Sequence, residues 1–147
     1  MAGQISFEII TPEGLKFQAE VYAVVLPTAQ GDIGILPHHI PLITIVTAGV
    51  ITIRRREADE EDAREHLATA GGFVEIDGKR VRLLADTAER AEDIDELRVQ
   101  AALERAREMK KNAKDQVALA DAVALIEQSM ARLKIAEIKR RRISRGR

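Results

Sequence analysis

Between Lys79 and Arg145 the chain contains neither glycine nor proline, although both punctuate the residues before it. All four prolines (Pro12, Pro27, Pro37, Pro41) fall in the first 41 residues, and all four aromatics (Phe7, Phe17, Tyr22, Phe73) in the first 73. Glycine and proline shape turns and break helices, so the two halves must obey different local rules. Charge divides the same way. Residues 1–87 carry 8 basic and 13 acidic side chains, net −5, and residues 88–147 carry 15 and 11, net +4. We therefore expect a β domain over 1–87 and a helical unit over 88–147, joined near residues 85–93.

The first half reads as short runs rich in Val, Ile, Thr and Phe, bounded by Gly, Pro and Asp. Ile5–Ile9 alternates and ends at Thr11-Pro12-Glu13-Gly14, a turn signal. Val21–Leu26 is expected to stop at Pro27, and Ile33–Leu36 at Pro37. Further strands are expected at Leu42–Val46, Val50–Ile53, His66–Ala70, Phe73–Ile76 and Val81–Leu84. Asp77-Gly78, between the last two, is the strongest hairpin signal in the chain. Many short strands with regular turns predict a sandwich or barrel. Glu57–Asp62, five acids in six residues, is expected to form a solvated hairpin tip.

The second half reads as two amphipathic helices. Asp93 with Glu96 three residues on makes a capping-box pattern that predicts a helix over 94–111, its seam at Val99, Ala102, Ala106 and Met109. Asp115 is a second N-cap candidate, ahead of a helix over 116–140. There Leu119, Val123, Ile126, Met130 and Leu133 recur at heptad spacing. A short connection implies an antiparallel hairpin, and helices of this length are marginal without packing.

Composition narrows the function. The chain of 147 residues is 46% hydrophobic and 32% charged with net charge −1, which suits a folded, soluble domain. A reducing, cytoplasmic setting is the default expectation. No cysteine is present, so thiolate metal sites and thiol nucleophiles are excluded. No apolar run reaches the length of a membrane span. Aromatics are only 3%, which argues against stacking platforms for nucleic acid. Of three histidines, His38 and His39 are adjacent and would point to opposite faces of a strand, and His66 stands alone. Gly31-Asp32-Ile33-Gly34 lacks the lysine of a phosphate loop. The carboxylates lie in charge runs. No catalytic or metal-binding set can be nominated, and an enzyme is not expected. Lys139–Arg147 holds six basic side chains and no acid. It reads either as a solvated, frayed end or as a docking segment for an acidic partner.

One segment is far more specific. Residues 27–42, Pro-Thr-Ala-Gln-Gly-Asp-Ile-Gly-Ile-Leu-Pro-His-His-Ile-Pro-Leu, resemble the family pattern of epsilon subunits of bacterial F-type ATP synthases. Gly71-Gly72-Phe73-Val74-Glu75, Leu84–Ala91 and Ala131–Glu137 continue the resemblance in order along the chain. It implies a ten-stranded β-sandwich followed by an antiparallel two-helix hairpin. It implies a non-catalytic rotor subunit at the cytoplasmic face of the cell membrane that grips the gamma subunit, rests on the polar loops of the c-ring and couples proton flow to ATP synthesis. Thr28, Gln30, Gly31, Asp32 and His38 are the residues it places at the ring and gamma contact.

The resemblance also implies regulation. In many members the helices extend along gamma and block ATP hydrolysis. The basic tail, Lys139, Arg140, Arg141, Arg142, Arg145 and Arg147, would then meet acidic surfaces of the beta and alpha subunits. Some members bind ATP on the folded hairpin through I/L-D-x-x-R-A. Here Ile94-Asp95-Glu96-Leu97-Arg98-Val99 departs from it at Val99. Glu89, Asp95, Arg98, Arg105 and Arg132 are the matching candidates, with Gln128 where a basic residue is expected. No cofactor is required, and ATP would be a regulatory ligand. Two other classes stay open on residues alone: a free-standing β-sandwich adaptor with dimerising helices, and an ATP-sensing regulator independent of a motor.

Overall fold

The computed structural model describes residues 3–146. Ten strands come first: β1 (Ile5–Thr11), β2 (Gly14–Val21), β3 (Ala23–Thr28), β4 (Gly31–Ile35), β5 (Leu42–Val46), β6 (Gly49–Arg54), β7 (Glu65–Thr69), β8 (Gly72–Ile76), β9 (Arg80–Ala85) and β10 (Ala88–Arg90). Helices α1 (Glu96–Lys111) and α2 (Gln116–Arg145) follow. This is the expected class, a ten-stranded sandwich with two packed C-terminal helices.

The strands bond in the order β10-β7-β6-β3-β5-β8-β9-β1-β2, with β4 attached to β3 beside that path. β1 runs parallel to β9, and the other pairs are antiparallel. Inward residues from nine of these strands meet in one cluster, so the sheet must curl over a single core. β1 shows how: Ile5, Phe7, Ile9 and Thr11 are buried while the residues between them are half-exposed. Phe7 and Phe17 pack across β1 and β2 with ring centres 5.7 Å apart.

Turn chemistry is where it was read. The Asp77 carboxylate accepts the N–H groups of Lys79 at 3.0 Å and Arg80 at 2.8 Å, and Gly78 takes φ +90°. At Gly72 (φ +155°) an added Cβ would stand 2.0 Å from the Leu84 carbonyl oxygen, so only glycine fits between β8 and β9.

Several boundaries differ from expectation. Pro27 does not stop its strand. It sits inside β3 opposite Asp32, and its carbonyl accepts the Thr47 N–H at 3.0 Å. β2 was not expected: it has no long apolar run, because Lys16, Gln18 and Glu20 interrupt it and only Phe17 and Val21 are buried. The sheet also runs on to Arg90, beyond residue 87, through the pairing of β10 with β7. His38 and His39 lie in the turn after β4, not on a strand, and His38 has φ +65°.

Asp95, rather than Asp93, caps α1, accepting the Arg98 N–H at 3.2 Å. Asp93 is taken up by a 3-10 turn, Ala91–Asp93. Asp115 caps α2 as read, accepting the Ala118 N–H at 2.7 Å. α2 then continues to Arg145, five residues further than expected. Its most buried heptad is Ala122, Ser129 and Ala136, one step from the predicted seam, and Met130 is exposed. Small side chains let α1 approach closely, so the larger heptad residues flank the contact. On α1 the buried residues are Val99, Leu103 and Ala106. Ala102 and Met109, expected in that seam, are half-exposed and exposed.

α2 packs on β6 and β7. This second cluster is small: buried Ala68, Ala131 and Ile135, edged by Val50, Ala91 and Ile94.

Candidate functional site

The sandwich has an outward face that the helices do not cover, and it is not uniformly polar. Register places Ile45 beside Phe73, Phe73 beside Leu84, Leu84 beside Ile10 and Ile10 beside Leu15. The result is one apolar row across five strands. Ile45 is 70% exposed, Leu15 57% and Phe73 48%. The neighbouring row runs Ile43, Glu75, Arg82, Glu8, Gln18. In it Arg82 Nε donates to Glu8 at 3.2 Å, and Gln18 donates to the same carboxylate at 3.3 Å. An apolar stripe with a charged rim is the anatomy of a protein–protein contact. None of these residues was singled out from the sequence. The signal was present as apolar doublets, Ile9-Ile10 and Leu83-Leu84, which put an apolar side chain on both faces of a strand.

The residues implied for the ring contact occupy the β3–β4 hairpin and the turn after it. Thr28 Oγ1 donates to the Gly31 carbonyl at 2.5 Å and accepts the Gln30 N–H at 3.3 Å, which closes the tip. Gln30, Gly31 and Asp32 are exposed. His38, also exposed, donates its backbone N–H to the Gly78 carbonyl at 3.1 Å. The tip and His38 therefore sit at opposite ends of β4, about 13 Å or more apart at 3.3 Å per residue. The His39 ring Nδ1 lies 2.7 Å from the Ile40 carbonyl oxygen.

Among the five candidate nucleotide residues, the fold joins two. Arg132 of α2 grips Glu89 of β10, with Nη2 to Oε1 and Nε to Oε2 both at 2.9 Å. Asp95 is occupied as the α1 cap. Arg98 and Arg105 stand two turns apart, both exposed. The two larger clefts between the helices and the sheet are lined by other residues.

The basic tail is not frayed in this fold. Through Arg145 it is the end of α2, and Arg147 lies outside the described residues. Lys139 is 3.6 Å from Glu92, Arg140 3.5 Å from Glu96, and Arg141 2.5 Å from Glu137. Arg142 donates to the backbone carbonyls of Glu61, at 3.2 Å, and Arg64. Arg145 lies 3.6 Å from Asp62. The acidic 57–62 segment is the exposed tip between β6 and β7, as expected, and it also has a partner within the chain. It includes the start of a 3-10 turn, Glu61–Ala63.

Comparison with known proteins follows the same division. A family profile described as "ATP synthase, Delta/Epsilon chain, beta-sandwich domain" matches residues 4–91. The ATP synthase epsilon chain of Moorella thermoacetica is 45% identical over 132 residues, covering 90% of this chain and 96% of that one. The ATP synthase epsilon chain of Bordetella parapertussis is 39% identical over 140 residues, covering 95% and 94%. Among solved structures, a chain in the OSCP/F1/c-ring portion of the Euglena gracilis mitochondrial ATP synthase superposes with TM-score 0.75 at 20% identity, covering 91% of this chain and 81% of that one. A chain of the central stalk/c-ring portion of the Tetrahymena thermophila mitochondrial ATP synthase superposes with TM-score 0.61 at 12% identity, covering 92% and 99%.

Proposed function

The chain belongs to the ATP synthase epsilon-chain family, and from that premise we propose how its surfaces serve a non-catalytic subunit of the central stalk. The apolar row from Ile45 to Leu15 docks the sandwich on the gamma subunit, and the charged row beside it sets the register. The exposed row is the observation that carries this reading, since five apolar positions aligned across five strands would be left in water by a free-standing domain. The exposed length of β4, from the Thr28–Asp32 tip to the His38 turn, lies along the polar loops of the c-ring. Rotation driven by proton flow then passes through both contacts to gamma. No helix among the described residues is long and apolar enough to cross a membrane; in this reading the partners hold the subunit at the cytoplasmic face.

The helices form the regulatory part. The sandwich core gathers 17 buried residues, whereas the helix–sheet cluster gathers three, two of them alanines. Full burial of Ile135 contributes about 1.5–3 kcal/mol and an alanine less. The hairpin can therefore leave the sheet for a few kcal/mol while the sandwich stays folded, within the range of a populated two-state switch. In its extended arrangement it reaches along gamma and its basic end meets acidic surfaces of the beta and alpha subunits. Regulatory ATP would favour the folded hairpin through Asp95, Arg98, Arg105 and the Glu89–Arg132 pair.

The test uses the absence of cysteine. Phe73→Cys should cross-link to gamma, and Asp32→Cys and His38→Cys to the c-ring, in the assembled motor. Phe73→Asp should abolish co-purification with gamma without lowering the melting temperature of the isolated chain. Equal recovery of gamma with wild type and Phe73→Asp would show that the row is not the docking face.

A further inference from the structure

The end of α2 and the acidic segment between β6 and β7 meet over a histidine. Arg142 donates to two backbone carbonyls, those of Glu61 and Arg64, and Arg145 adds the contact to Asp62. Beneath Arg142 is a cleft of about 220 Å³, lined in part by His66, Arg90, Ile135 and Lys139. His66 is half-buried on β7, its Nδ1 3.1 Å from the Thr52 Oγ1 of β6.

We propose that these two segments form a proton-sensitive latch: Arg142 and Arg145 fasten the end of α2 to residues 61–64 while the His66 ring is neutral, and protonation of His66 opens it. Charges of both signs line the clefts around the ring, and Arg142 and Arg64 each weigh more on it than Glu61. α2 presents Arg142 and Lys134 toward it and Lys139 in the same cleft. The β6–β7 segment presents Arg64 and, of opposite sign, Glu61. Glu65 precedes His66 on its own strand, and Arg90, on the strand paired with it, and Glu92 line the same cleft. The Glu92 carboxyl is held below its ordinary value by its own backbone N–H and by Lys139, so it stays ionised. Burial first, then Arg142 and Arg64, push the His66 pKa down; Glu61 opposes them. A proton on the ring would therefore place a third cation among two guanidinium groups.

The sign follows by linkage. The latched state disfavours the proton, so the released state binds it more readily. The stabilisation by the latch is complete above the ordinary histidine pKa of about 6.5 and declines as pH falls below it, levelling off beneath the depressed value. In the motor, acidification would free the basic segment for another acidic partner. That consequence rests on the stalk reading, whereas the latch itself does not.

The test uses the isolated full chain and never touches the motor, so its failure and that of the stalk reading are separable. Amide exchange of residues 139–146, corrected for intrinsic rates, should lose about tenfold in protection between about pH 7.5 and about pH 5.5, the window a histidine spans. Arg142→Gln should show low protection at both, and His66→Gln should keep its protection in acid. Sheet amides in 5–85 report that each variant is folded. An NMR titration of the His66 ring needs no histidine variant: its midpoint should lie below about 6.5 and rise toward it in Arg142→Gln. Wild-type protection in Arg142→Gln at the higher pH overturns the latch. An unchanged His66 midpoint in Arg142→Gln, or an undiminished acid loss in His66→Gln, overturns the role of His66.

Discussion

Arg132 and Glu89 lie 43 residues apart in the chain and meet through two contacts of 2.9 Å, joining the second helix to the last strand of the sheet. Both side chains are about a third exposed, at 29% and 32%, so water screens the pair while its two-point geometry strengthens it. In the folded-back arrangement they also neutralise each other. A phosphate that recruited Arg132 would first have to displace Glu89.

This pair should show a measurable but modest coupling. A double-mutant cycle with Glu89→Gln and Arg132→Gln, read by amide exchange in α2, should give about 1 kcal/mol, the upper end for a pair of this exposure. A coupling indistinguishable from zero would mean that the hairpin is held by its apolar contacts alone.

For the proposed ATP site the informative residue is Arg98, which is exposed on α1. Arg98→Ala should weaken ATP binding by about 1.5–3 kcal/mol, the worth of a hydrogen bond to a charged group. Calorimetry giving equal affinities would remove Arg98 from the site.

Ile135, 1% exposed, is the one large side chain in the buried helix–sheet cluster. Ile135→Ala should cost about 2–5 kcal/mol, confined to hairpin docking. Exchange in α2 should rise while the sandwich melts as before. Likewise a chain ending at Arg90 should fold and bind gamma, and should be more stable than one ending at Thr87, which leaves β7 without β10. Loss of folding in the longer of the two would refute the independence of the sandwich.

The tail and the acidic segment should act with opposite signs on hydrolysis by the reconstituted motor. Removing residues 139–147 takes away the basic end that inhibits, and hydrolysis should rise. Asp62→Asn leaves that end intact but loosens its attachment within the chain, and hydrolysis should fall. Exposed pairs are worth only about 0.2–1 kcal/mol each, so both effects should shrink in salt. A rise, or no change, with Asp62→Asn would show that the segment does not compete for the tail.

Much of this was legible from residues because it depends on local chemistry. Asp77-Gly78 specifies its own hairpin, Asp115 its own cap, and a stretch without Gly or Pro leaves helices uninterrupted. Asp93 was misassigned for a local reason as well: Asp95 makes an equally good cap two residues on, and the 3-10 turn at Ala91–Asp93 decides between them.

What local chemistry could not decide is which surfaces meet. The row Ile45, Phe73, Leu84, Ile10, Leu15 exists only because strand register, with a bulge between Ile9 and Ile10, aligns strands drawn from three separate stretches of the chain. The basic tail read as either a frayed end or a docking segment, and its partners within the chain stayed hidden because Asp62 and the carbonyls of Glu61 and Arg64 are some 80 residues away. Periodicity reports which face of an element is apolar, and it determined the sandwich, the two helices and their order. The partner of each face, and the charge environment of His66, follow from long-range packing, where shape and register outweigh any preference a short window of sequence can express.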